Sequence, residues 1–268
     1  MTNNRRKFMK KAAMAGIAGL TAAKATASSN TRPEEANPVM ISLARPKVLF
    51  FDVNETLLDL TAMKKHVGDA LDGREDLLPL WFTTMLQYSL VTTAGRQYEH
   101  FGFIGAAALQ MVAANNGISI SQKSARETIA ESMSALPAHP EVKAALSQLK
   151  GDGYKLVSFT NSSNAGVKKQ FEFSGLLDFF EDRLSVEDIG KFKPFADTYD
   201  WAARKMGVAP ADSMLIAAHG WDVAGALWAG WRAAFIGRPG QQPFPLAPVS
   251  EIVAPDLQKA ANILVSYR

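Results

Sequence analysis

The chain has 268 residues, 47% of them hydrophobic and 21% charged, an ordinary globular composition that excludes collagen-like, low-complexity and coiled-coil classes. Of the 29 Lys and Arg residues, six lie in residues 1–27, where no acidic residue occurs; the other 23 face 26 Asp and Glu. The overall net charge of +3 therefore belongs to the N-terminal segment, and no basic surface remains to follow a nucleic-acid backbone. The chain has no cysteine, which excludes disulfides, thiolate metal sites and a cysteine nucleophile.

The N-terminal segment reads as an export signal. Arg5-Arg6-Lys7 precedes a Gly/Ala-rich apolar run from Ala12 to Ala23, then Ala25-Thr26-Ala27 before Ser28. A basic start, a weakly apolar stretch and an A-x-A site are the parts of a cleavable signal peptide. The paired arginines resemble a twin-arginine signal, which implies the twin-arginine export machinery as a partner of the precursor and the periplasm as destination. The apolar run falls short of the roughly 20 residues that span a bilayer, and no other stretch reaches that length. Residues 28–46, with Pro33, Pro38 and Pro46, read as a linker.

Beyond the linker, strand-forming and helix-forming text alternate. Lys47–Phe51 is a short apolar run ending at Asp52, a buried strand. Residues 60–136 then carry apolar positions at helical spacing, including helices at Leu77–Val91 and Phe103–Asn115. Helix Glu141–Lys150, strand Lys155–Phe159, helix Ala165–Phe173 and a strand near Arg183–Ser185 follow. Next come helix Ala196–Met206, strand Met214–Ala218, helix Ala224–Gly230 and a last strand at Ala233–Ile236. This pattern predicts an α/β fold with a doubly wound parallel sheet. Its core is residues 47–59 and 137–268, and residues 60–136 form an inserted helical cap.

In such sheets function gathers at the carboxyl ends of the strands. Those ends carry Asp52-Val53-Asn54-Glu55-Thr56, Thr160-Asn161-Ser162-Ser163, Lys191-Phe192-Lys193-Pro194 and His219-Gly220-Trp221-Asp222. Asp52 is suited to be a carboxylate nucleophile that forms an ester. Lys193 supplies positive charge against Asp52 and Asp222, and Thr160 and Asn161 offer hydrogen bonds to a small anionic substrate. His219 is either a structural histidine or part of the site, and Glu55 reads as a solvated turn residue.

The order of these clusters resembles the haloacid dehalogenase superfamily, closest to its type II (S)-2-haloacid dehalogenases, over roughly residues 47–240. The resemblance rests on strand-D-x-x-x-T-L-h-D at Asp52, Thr56, Leu57 and Asp59, with the other three clusters following in order. It implies that Asp52 is the nucleophile, that Thr56 orients it, and that Lys193 and Asp222 set the charge around it. It places Thr160 and Asn161 on the substrate carboxylate, with Tyr199 and Trp221 also in the site. It further implies hydrolysis of a small 2-halo acid through an aspartyl ester, with no cofactor and no metal.

Three departures stand out. Phe82, after Trp81, takes the place of a cap arginine that draws off the halide; Arg96 is a candidate substitute. Ala217 and His219 replace a serine and an asparagine, and Val53-Asn54-Glu55 replaces a turn with an aromatic and a glycine. One alternative is a magnesium phosphatase of the same superfamily. It is disfavoured because Asn54 stands where a general-acid Asp would be, and Ala218 where a magnesium ligand would be. The other alternative is an exported small-acid binding protein on a degenerate scaffold. Oligomeric state is not legible, and a homodimer is one option.

Overall fold

The computed structural model describes residues 44–268. The predicted signal peptide and residues 28–43 of the linker lie outside them.

A six-stranded, all-parallel sheet forms the centre, with strand order β3-β2-β1-β4-β5-β6. The strands are β1 (Val48–Phe51), β2 (Lys155–Thr160), β3 (Asp182–Ser185), β4 (Ser213–Ala217), β5 (Arg232–Ile236) and β6 (Ile252–Ala254). All residues of β1 and β4 are buried, as expected of parallel strands covered on both faces. Phe51 is in register with Ser158 of β2 and Ile216 of β4, so Asp52 leaves the sheet level with Phe159 and Ala217, one residue before Thr160 and Ala218.

Helices α1 (Lys64–Asp69), α2 (Leu78–Ala94), α3 (Phe101–Asn115) and α4 (Gln122–Ser134) lie between β1 and β2. The indole of Trp81 in α2 donates to the Gly105 carbonyl of α3 at 2.8 Å, locking these helices side by side. The remaining helices are α5 (Val142–Gly151), α6 (Asn164–Ser174), α7 (Ala196–Met206), α8 (Gly220–Trp228) and α9 (Leu257–Leu264). Under the site, Trp231 packs on Phe50 with ring centroids 4.4 Å apart and meets Tyr199 edge-on at 5.6 Å.

Two sequence expectations need correction. Ala233–Ile236 is not the last strand, because β6 and α9 follow. With three residues, β6 is too short to show a period, whereas α9 carries two signals: apolar Leu257, Ala260, Ala261 and Leu264 at helical spacing, and a cap, the Asp256 carboxylate accepting from the Lys259 amide at 2.7 Å. Helix α8 starts at Gly220, not Ala224. His219 is its extended N-cap, so Trp221 and Asp222 occupy the first helical turn. That turn is seated closely. A Cβ at Gly225 would lie 2.6 Å from Tyr199 Oη and 2.5 Å from Pro194 Cβ, so glycine there lets α8 approach the lysine loop.

Candidate active site

The site begins with a tight turn after β1. Leu57 and Leu58 amides return to the Val53 carbonyl at 2.9 and 3.1 Å. Glu55 takes a left-handed conformation, φ 65°, strained for a residue with a side chain. Its carbonyl accepts from His139 Nε2 at 2.9 Å. The turn presents Asp52, only 5% exposed, with both carboxylate oxygens engaged. Oδ1 accepts from Lys193 Nζ at 3.0 Å. Oδ2 accepts from Thr56 Oγ1 at 2.7 Å and faces His219 Nδ1 at 3.1 Å. Thr56 Oγ1 in turn accepts from the Ala218 amide at 2.9 Å, which ties the end of β1 to the end of β4.

Lys193 is buried, and its ammonium has three acceptors: Asp52, Asp222 Oδ2 at 2.6 Å and the Phe159 carbonyl at 2.9 Å. The opposite oxygen of Asp222 accepts from Tyr199 Oη at 2.6 Å. Burial pushes the Asp52 carboxyl up, but the Lys193 ammonium and hydrogen bonds from His219 and Thr56 outweigh it and hold the group well below the usual carboxylate range. Burial lowers Lys193, but the two carboxylates raise it further, so it is an ammonium. Burial raises Asp222, and the neighbouring Asp52 charge adds to this. Asp52 is thus the carboxylate whose ionised form the site favours more strongly.

The second strand end contributes less directly than its sequence suggests. Thr160 Oγ1 is fully buried and accepts from the Ser162 amide at 3.1 Å, holding the turn. Asn161 Oδ1 accepts from the Lys193 amide at 3.0 Å. Asn161 Nδ2 is buried and has no partner among the described residues, which leaves it as a donor for an incoming group. Tyr199 contacts Asp222, and its hydroxyl is spent on that carboxylate. Phe82 lies on the imidazole of His219, ring centroids 5.7 Å apart and planes 27° apart. Trp221 stacks on the same imidazole at 5.2 Å. Arg96 is exposed, as is Lys191, which pairs with Asp197.

Sequence reasoning missed the supports. Asn54 Nδ2 donates to Ser162 Oγ at 3.1 Å, and Asn54 Oδ1 accepts from Gln170 Nε2 at 2.9 Å. Arg238, just beyond β5, donates to the Thr56 carbonyl at 2.8 Å and pairs with Glu141 at 2.7 Å. Only the Gly-Arg at the end of a strand hinted at Arg238; nothing marked Gln170 within its helix.

The donor set does not fit the magnesium that phosphatases of this fold would need. Asn54 is committed to Ser162 and Gln170, position 218 is alanine, and the Lys193 ammonium lies between Asp52 and Asp222. Magnesium is held through carboxylates and water in near-octahedral geometry. The chemistry this arrangement supports is attack by a buried, ionised carboxylate, with fixed positive charge on its oxygens.

Comparison with known proteins agrees with this geometry. The (S)-2-haloacid dehalogenase of Pseudomonas sp. (strain YL) is 26% identical over 195 residues, covering 72% of this chain and 84% of that one. Haloacetate dehalogenase H-2 of Moraxella sp. (strain B) is 26% identical over 195 residues, covering 72% and 87%. The L-2-haloacid dehalogenase of Xanthobacter autotrophicus, solved with chloropropionic acid covalently bound, superimposes with a TM-score of 0.77 at 21% identity over 81% of this chain and 98% of that one; this shows the shared fold. The model of the haloacid dehalogenase-like hydrolases matches residues 46–230, a span that holds Asp52, Thr160, Lys193 and Asp222, and the chain belongs to that family.

Proposed function

We propose that the protein is a hydrolytic dehalogenase of small (S)-2-halo acids, working through an ester on Asp52. The observation that carries this reading is the Asp52 carboxylate itself: ionised, closed off from solvent, and held on both oxygens by Lys193, Thr56 and His219. An oxygen of Asp52 attacks C2, the carbon–halogen bond breaks, and its electron pair leaves as halide. Water then adds to Cγ of the ester. The oxyanion that forms there falls within reach of donors already in place on Asp52, which need no reorganisation. Collapse releases the 2-hydroxy acid, returns Asp52 as a carboxylate and frees one proton. Asn161 Nδ2 is the buried donor available to the substrate carboxylate. The names of the relatives in Pseudomonas and Xanthobacter supply the substrate class and its stereochemistry.

The reading includes export. Arg5-Arg6 and Ala25-Thr26-Ala27 support twin-arginine routing of the precursor to the periplasm.

Turnover in H₂¹⁸O tests the chemistry. A single turnover of 2-chloropropionate should place label in the peptide containing Asp52, and Asp52→Asn should release no halide. Label found in the product alone would mean that water attacks the substrate directly, and the reading would fall.

A further inference from the structure

A cavity of about 220 Å³ lies between α6 on one side and α4 with the start of α3 on the other. None of Asp52, Asn161, Lys193 and Asp222 lines it. Its walls are largely apolar, built from Phe101, Phe103, Ile129 and Met133, and they carry two cations, Arg126 and Lys169. The Arg126 guanidinium lies over the Phe103 ring at 4.3 Å. The acids of the two helices turn elsewhere. Glu127 pairs with Lys123, Glu131 with His66 and Glu172 with Lys168, which leaves Arg126 and Lys169 without a carboxylate partner among the described residues.

The same wall holds the nucleophile turn. Asn54 follows Asp52 by two positions, and both side-chain partners of its amide, Ser162 and Gln170, line the cavity. Gln170 Nε2 also donates to the Met133 carbonyl of α4 at 3.0 Å, so one amide ties the cap to the turn that carries Asp52. Gln170 Oε1 has no partner among the described residues, and the amide is held through its nitrogen alone. A ligand in the cavity therefore meets the two residues that position Asn54.

We propose that this cavity binds a carboxylate with an apolar tail, bulkier than a small 2-halo acid, and that the bound acid activates the enzyme. Its carboxylate sits between Arg126 of α4 and Lys169 of α6, and its tail lies against Phe101, Ile129 and Met133. Two like charges facing one cavity repel; an anion between them replaces that repulsion with two attractions and draws α4 onto α6. Drawing the helices together steadies the link from Met133 through Gln170 to Asn54, and with it the Asp52 turn. The volume is below that of pockets for drug-sized molecules, about 300 Å³ and upward, which limits the tail to a single ring or a short chain. Binding rests on the cavity alone, whereas its effect on turnover rests on the dehalogenase reading.

The test titrates phenylacetate, and its neutral counterpart 2-phenylethanol, into wild type, Asp52→Asn, Ala130→Trp and Lys169→Glu by calorimetry. Halide release from 2-chloropropionate is followed with and without phenylacetate. Ala130 is an exposed residue of the cavity wall, so tryptophan there fills the cavity without entering the core. Phenylacetate should bind wild type and Asp52→Asn equally, and should not bind Ala130→Trp. The alcohol on wild type, and phenylacetate on Lys169→Glu, should each bind about fivefold more weakly. Phenylacetate should raise kcat/KM of wild type about fivefold and leave Ala130→Trp, which keeps its basal turnover, unchanged. Binding that persists in Ala130→Trp, or inhibition that only competes with 2-chloropropionate, would overturn the proposal. Binding in the cavity with no change in turnover would overturn the activation. If wild type releases no halide but binds phenylacetate in a way that Ala130→Trp abolishes, the carboxylate site stands and the dehalogenase reading fails.

Discussion

Lys193 Nζ lies 2.6 Å from Asp222 and has both carboxylates of the site within 3.0 Å. One ammonium therefore offsets two buried carboxylates. Removing it, as in Lys193→Met, leaves burial to govern Asp52. Because the folded Asp52 carboxyl is depressed, the wild-type nucleophile stays ionised far into acid. In the variant its carboxyl rises, so the acid limb of kcat/KM should move toward neutrality. At pH 7 the loss should be on the order of 100- to 1000-fold. A pH–rate profile of the variant checks both expectations; an unmoved acid limb would mean that Thr56 and His219 alone keep Asp52 ionised.

Asn54→Asp places a carboxylate where phosphatases of this fold carry their general acid. The variant should not gain magnesium-dependent hydrolysis of p-nitrophenyl phosphate, because position 218 is alanine and Lys193 already holds Asp52 and Asp222. It should lose about 1–3 kcal/mol of stability, since a buried charge replaces the amide donor to Ser162. Phosphate release with and without EDTA decides the first point, and urea unfolding the second.

Arg238→Met removes the donor to the Thr56 carbonyl and the partner of Glu141. Leaving those acceptors unpaired should cost about 2–3 kcal/mol, seen as a fall in Tm of roughly 5–10 °C. Glu141 is held below its usual range, with burial opposed by its hydrogen bonds and by Arg238. Its contribution is therefore present above the unfolded carboxyl value and is lost as pH falls through the folded one. The stability gap between wild type and variant should narrow in acid. Melting curves at pH 7 and pH 4 measure it.

Arg5→Lys with Arg6→Lys should keep the precursor in the cytoplasm, because twin-arginine recognition depends on the pair. Fractionation of cells carrying the double variant checks this; undiminished mature protein in the periplasm would refute the routing.

The reactive core of the site was legible because its parts are local. Asp52 and Thr56 sit within one turn, and Lys193, Asp222 and Asn161 each end or follow a strand that the apolar runs reveal. The supporting shell was not legible. Gln170 reaches Asn54 across 116 residues, and a glutamine on a helix reads as surface. Tyr199 was expected beside the substrate, yet its hydroxyl is taken by Asp222, a pairing set by how α7 packs on α8. Trp221 and Asp222 read as loop residues because a helix starting with Gly220 shows no apolar period in its first turn.

The reach of Arg238 has a kinetic meaning. The turn that carries the nucleophile is among the first parts of the described chain to be made, yet one of its carbonyls waits for a donor 182 residues later. The segment matched by the family model ends at residue 230, before that donor. Contacts so distant along the chain form late, since loop closure must precede them. Refolding should therefore recover the signal of buried tryptophan before it recovers activity. The final step to competence should slow in Arg238→Met, while burial of Trp231 against Phe50 keeps its pace.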